Sequence, residues 1–255
     1  MSSRLPLVAV GATVLLAAAL VGVSSSATAG RSSCAGATGN GYVYAGHQAT
    51  HRGHGVRATV MALREPTVGG GHVAGWVGVG GPGQGRNGED AWMQTGIASV
   101  PGAGIFSYVE ITRPGRQPEL RIVEQGLVAG GGHRFAVLEM GGRPGWWRAW
   151  IDGQAVTEPI HLPGSSGQWA PIATAESWNG GEQGCNRFAF RFERVSVSYG
   201  GGGSWRPFVS AHRFLDGGHQ LRPLASAPAT NGLYARTLAS SDEPLPYAFV
   251  ASSRS

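Results

Sequence analysis

Residues 75–96 read GWVGVGGPGQGRNGEDAWMQTG, and this stretch decides the fold. Val73, Gly75, Val77 and Val79 share one parity, and Ala74, Trp76 and Gly78 share the other. A period of two marks a β-strand. Residues 80–90 hold five glycines, a proline and an asparagine, so neither strand can continue through them. No helix is expected after this loop, so it reads as a turn and not as a phosphate cradle. The chain resumes with Trp92, Gln94 and Gly96 on one face and Ala91, Met93, Thr95 and Ile97 on the other. Gln94 therefore sits mid-strand beside a tryptophan. A neutral amide at a strand centre needs hydrogen-bond partners or a task.

The same alternation recurs outward from this hairpin. Residues 56–63, 105–111, 120–124, 134–140, 146–151 and 172–178 each read as a strand, and Asp152-Gly153 marks a two-residue hairpin turn. Phe188, Phe190 and Phe192 share a face, whereas Val195 and Val197 have the opposite parity, which predicts a bulge near Glu193-Arg194. Of 255 residues 43 are glycine, more than double the usual ~7%. Without a collagen period, that abundance points to many tight turns. Ten or more short strands and no amphipathic helix imply an all-β protein, an antiparallel two-sheet β-sandwich. The sandwich is expected over residues 42–200, after a tether at 30–41 and before a partly ordered C-terminal extension at 201–255. His47, His51 and His54 lie among glycines and are expected in a solvated loop, not in a metal site. Gly164-Ser165-Ser166-Gly167 lacks the strand-and-helix setting of a nucleophile elbow.

Residues 1–29 read as a signal peptide, with Arg4 at its start, an apolar run over 5–23 and Ala27-Thr28-Ala29 at its end. A secreted protein is expected, with no membrane contact after cleavage. The remaining two cysteines, Cys34 and Cys185, then form one disulfide. It would close a loop of about 150 residues, a constraint worth on the order of 4–5 kcal/mol in the chain-entropy view. The net charge is +5, every basic residue is an arginine, and the arginines form no run. No basic stripe exists to bind nucleic acid. A monomer is expected.

Four segments together are similar, in order and spacing, to the eqolisin-like glutamic peptidases. They are Gly75-Trp76-Val77-Gly78-Val79, Met93-Gln94-Thr95-Gly96, Phe106-Ser107-Tyr108-Val109-Glu110 with Pro114, and Thr174-Ala175-Glu176-Ser177-Trp178. The resemblance covers residues 73–198. It implies a concanavalin-like jelly roll, with a catalytic glutamine at Gln94 and a catalytic glutamate at Glu176 on the concave face. It implies no metal and no cofactor. The chain departs from the family pattern after Glu176, where Ser177 intervenes and Trp178 comes one place late.

The chemistry of such a pair is plain. A carboxyl desolvated among tryptophans can exchange a proton with the water that attacks a peptide carbonyl. A neighbouring amide can orient that water and donate to the oxyanion. Trp76, Trp92, Glu110 and Trp178 are the expected substrate-binding walls. Two bland readings compete: Gln94 as a structural amide, and Glu176 in an ion pair with Arg148 or Arg191. The alternative function is a non-catalytic carbohydrate- or cell-wall-binding module, with Trp146, Trp147, Trp150 and Trp178 as sugar platforms. The substrate is thus a peptide or a polysaccharide. A glucanase is a weaker third reading, because no Glu-x-Asp-x-x-Glu motif is present.

Overall fold

The computed structural model describes residues 42–179, 186–208, 210–224 and 247–253. The expected signal peptide, the expected tether and the expected Cys34–Cys185 disulfide lie outside the described residues. Among the described residues sixteen strands follow in chain order. They begin with β1 (Tyr42–Ala49), β2 (Gly55–Ala62), β3 (His72–Gly81), β4 (Ala91–Val100), β5 (Gly104–Thr112) and β6 (Glu119–Leu127). Then come β7 (His133–Glu139), β8 (Trp146–Ile151), β9 (Gln154–Ala155), β10 (Ile160–His161), β11 (Ile172–Trp178) and β12 (Ala189–Ser198). The last four are β13 (Trp205–Pro207), β14 (Ala211–Leu215), β15 (His219–Pro223) and β16 (Phe249–Ser253). The one helical element among the described residues is a 3-10 turn at Arg86–Gly88, inside the glycine-rich loop.

These strands build two antiparallel sheets. The first runs β14-β1-β11-β3-β4-β5-β6. The second runs β10-β8-β7-β2-β12-β16-β15, with β13 added on β12 and β9 on β8. The described parts of 201–255 therefore contribute strands to both sheets. Alternation places one apolar face of each sheet against the other. Val73, Val77, Met93, Val109 and Ala175 from the first sheet meet Val60, Phe135, Trp147, Phe190 and Phe192 from the second in one core.

Local sequence accounts for most of this. Asp152 and Gly153 both take positive φ, the conformation a two-residue hairpin between β8 and β9 requires. In β12 the register against β2 shifts between Glu193 and Ser196, and Arg194 has φ 54. That bulge turns Val195 and Val197 into the core beside the phenylalanines.

His47 corrects the expected loop, whereas His51 and His54 lie between β1 and β2. His47 lies inside β1, is buried, and packs edge-on against Phe249 at 4.9 Å. Burial, with Arg213 nearby, pushes it down to about 4, so it stays neutral. His54 is hydrogen-bonded to the buried Glu139, and only His51 is exposed.

Candidate active site

The first sheet has a second face, turned away from the core, and the site is built there. Register fixes which side chains share it, since directly opposed residues of an antiparallel pair point the same way. One row across the sheet reads Ile172, Gly78, Gln94, Glu110 and Leu120, on β11, β3, β4, β5 and β6. The adjacent row reads Thr174, Trp76, Gly96, Tyr108 and Ile122. The next begins with Tyr44 on β1 and Glu176 on β11 and continues to Ala74 and Ala98. Tyr42, Trp178 and His72 form the last row. Trp92 lies two positions before Gln94 on the same face. All six residues expected at the site, Gln94, Glu176, Trp76, Trp92, Glu110 and Trp178, thus share one face of one sheet.

Both central side chains are buried to the same degree, Gln94 and Glu176 each keeping 8% exposure. A carboxyl so enclosed needs donors. Glu176 has two: Trp76 Nε1 donates to Oε2 at 3.0 Å, and His72 Nε2 lies 2.8 Å from Oε1. A carboxylate acceptor there places the His72 proton on Nε2. The expected arginine partners are absent from this contact. Arg148 stands on β8 of the other sheet, and Arg191 pairs with Glu193.

Gln94 is held at one end, where Nε2 donates to the Tyr108 hydroxyl at 3.3 Å. Its amide oxygen accepts no bond from the described residues. The indole of Trp76 reaches toward both groups. Its Nε1 end meets Glu176, and its benzo edge lies beside Gln94: a Cβ added at Gly78 would be 2.8 Å from Gln94 Cβ and 3.1 Å from Trp76 Cζ3. Gly96 is required for the same reason, because a Cβ there would fall 2.7 Å from Trp76 Cα and 2.1 Å from Gly75 O. Together Trp76, Tyr108, Ala74, Ala98 and Phe106 form a small apolar cluster separate from the main core.

The electrostatics single out Glu110. Burial pushes it up to about 7, and the charge of Glu176 adds to the shift. Trp92 Nε1 donates to Glu110 Oε1 at 2.8 Å, which opposes the rise without cancelling it. Burial also pushes the Tyr108 hydroxyl well above the ordinary phenol value and raises Tyr42 to about 12. Both phenols therefore keep their protons. Tyr108, Tyr42 and Tyr44 all feel the charge of Glu176. The site is one electrostatic unit: two carboxyls, an amide and neutral phenols around an indole.

Solved structures share this architecture. The fold is that of the eqolisin-type glutamic peptidases. Scytalido-glutamic peptidase with a peptide-based transition-state analogue matches with a TM-score of 0.52 and 14% identity, over 84% of this chain and 98% of that one. SCP-B, a member of the eqolisin family of peptidases, in complex with the tripeptide Ala-Ile-His, matches with a TM-score of 0.50 and 14% identity over the same shares. No protein-family model matches the sequence, and no curated protein matches it in sequence.

Three features escaped the sequence reading. Nothing in the sequence singles out His72, which opens β3. Its contact with Glu176 depends on a strand 104 positions later. Tyr44 and Tyr108 read as ordinary strand aromatics, although Tyr108 carries the amide of Gln94. Two of the three proposed sugar platforms on β8, Trp146 and Trp147, are occupied. Trp147 is in the core and stacks on Trp169 at 5.9 Å. Trp146 has His161 stacked on it at 4.9 Å and the Arg143 guanidinium over its ring at 4.3 Å. Ser165 is buried, with its hydroxyl bonded to Trp147 Nε1 and to the Leu162 carbonyl, so it is no nucleophile.

Proposed function

We propose that this face hydrolyses peptide bonds in acid, with Glu176 exchanging the proton of the attacking water and Gln94 orienting that water and donating to the oxyanion. One observation carries the reading: a buried acid and a buried amide flank a single indole, on the non-core face of a sheet whose fold recurs in glutamic peptidases. Glu176 is held at both oxygens by N–H donors, which fixes its orientation toward the face. The Tyr108 hydroxyl, kept protonated, fixes the amide of Gln94. Trp76, Trp92 and Trp178 line the face as apolar walls that exclude water and strengthen these contacts.

The pH range follows from Glu110. Below about 7 it is neutral and can donate a hydrogen bond to a substrate carbonyl. Above that it brings a second negative charge onto the face, which opposes formation of an oxyanion there. Activity is expected to fall as the pH rises through about 7. The leader-like residues 1–29 support export as the setting for such an enzyme.

A second reading has its own observation. Glu110 and Glu176 are two carboxyls on one face, coupled by charge, with one raised to about 7. A glycoside hydrolase divides acid and base between two such groups. Incubation of the secreted chain with a denatured protein and, separately, with β-glucan at pH 3 to 7 distinguishes the two. New peptide termini below pH 7 support the peptidase reading. Reducing ends without peptide cleavage replace it with the second.

A further inference from the structure

The outermost strand of the site sheet carries apolar side chains where water would be expected. β6 is the terminal strand, and no described strand pairs with its outer edge. Leu120 and Ile122, two positions apart on β6, remain 51% and 46% exposed. A lone exposed leucine needs no explanation, but two exposed aliphatic side chains side by side on one face of an edge strand are a candidate docking surface.

Register shows where the patch points. Leu120 lies opposite Glu110, which lies opposite Gln94, all in one row. Ile122 lies opposite Tyr108, in the row that holds Trp76. Both side chains therefore rise from the face that carries the site, not from the core face. Arg121 and Glu119 take the other side, opposite Val109 and Ile111. The polar floor of Gln94, Tyr108 and Glu110 is thus continuous with an apolar wall one strand beyond it.

Resting on the peptidase reading above, we propose that Leu120 and Ile122 form a subsite for a bulky apolar side chain of an extended peptide lying across the strands. The strand spacing gives the position. Leu120 is two strands from Gln94, about 10 Å at ~4.8 Å per strand, and an extended peptide covers that in about three residues at ~3.3 Å each. The favoured substrate carries leucine, isoleucine or phenylalanine about three residues from the bond that is cleaved. The area gained by covering two half-exposed aliphatic side chains acts through binding, so it appears in KM for long peptides and is absent for short ones.

The test uses the intact secreted chain, a Leu120→Ser/Ile122→Ser variant, and decapeptides that differ only in leucine or serine three positions to either side of the cleaved bond. Both side chains are exposed, so folding is expected to survive, and a melting curve checks it. The expected result is at least a tenfold higher kcat/KM for a leucine peptide, reduced to near parity in the variant. Binding of the same peptides to the Glu176→Gln chain, read by fluorescence anisotropy, gives a measure that needs no turnover. Leucine-selective binding that the serine variant loses supports the subsite even if no peptide is cut. Cleavage with equal kcat/KM for both peptides overturns the subsite and leaves the peptidase reading intact. A wild-type dimer that the serine substitutions dissociate also overturns it, because β6 then meets a second copy.

Discussion

The two faces of the seven-stranded sheet are made by the same strands and are buried almost equally, yet their chemistry is opposite. On the core face, Val77, Met93, Val109 and Ala173 are wholly buried and carry no charge. On the other, Trp76, Gln94, Tyr108 and Glu176 are buried with hydrogen bonds and ionisable groups. Desolvating a carboxyl and an amide costs free energy that apolar residues of similar volume would not. The core face also buries His47, Thr95 and Ser107, but the sheet keeps its buried carboxyl and amide on the other face, which supports a use for that face beyond holding the fold together. The contrast separates residues that make the sandwich from residues that make the site, although they alternate along the chain.

Substitutions on the two faces should therefore fail in different ways. Among substitutions that leave Glu176 in place, the largest expected effect is Gln94→Ala: kcat should fall by about 10²–10³, as for loss of one oxyanion donor, with little change in melting temperature. Equal losses of activity and stability would mean that Gln94 is structural. Val77→Ala, directly behind Trp76 on the core face, should do the reverse. It should cost about 2 kcal/mol of stability in denaturant unfolding, with activity per folded molecule unchanged.

His72→Gln sharpens the contrast within the site. Glutamine retains an N–H donor but not the ring, and Glu176 keeps one firm donor in Trp76. A fall of about tenfold in kcat is expected, with KM nearly constant. An unchanged kcat would reduce His72 to a wall of the Tyr42–Trp178 aromatic cluster, which it also touches.

The last effect concerns pH. Glu110 is raised to about 7 in the folded chain from an ordinary value near 4.5. Its contribution to stability is complete below the unfolded value and is lost as the pH climbs through the folded one. Wild-type stability should decline between about pH 4.5 and 7 by on the order of 2–3 kcal/mol from this group. Glu110→Gln should flatten that decline and move the alkaline limb of activity upward. A variant whose stability and activity follow the wild-type pH curves would remove Glu110 from the account.

Much of this was legible in the sequence because strands write their faces with a period of two. The parity of residues 73–79 and 91–97 assigns Trp76 and Gln94 to one side and the valines to the other, and the structure keeps that assignment. The parity switch in β12 and the Asp152-Gly153 turn were equally local and equally readable. What stayed hidden depends on pairing between distant strands. His72 meets Glu176 only because β3 lies beside β11 in one particular register. His47 looked like a loop residue beside Gly46, but β1 is clamped between β11 and β14, so the strand runs through the glycine and buries the histidine. The strands after residue 200 are short and lack a strong alternation, and their place comes from the edges they complete. Nor could alternation reveal that β6 is left exposed on both sides, since that depends on the span of the opposing sheet.

One measurement bears most directly on the claim that the non-core face is a peptidase site built on Glu176. Hydrolysis of a denatured protein substrate is followed at pH 4 for the wild-type chain and for Glu176→Gln, with unfolding curves taken on the same samples. The account predicts cleavage by the wild type and a loss of at least 10³-fold in the variant, which keeps its folded structure. Cleavage at a similar rate by both proteins would contradict it.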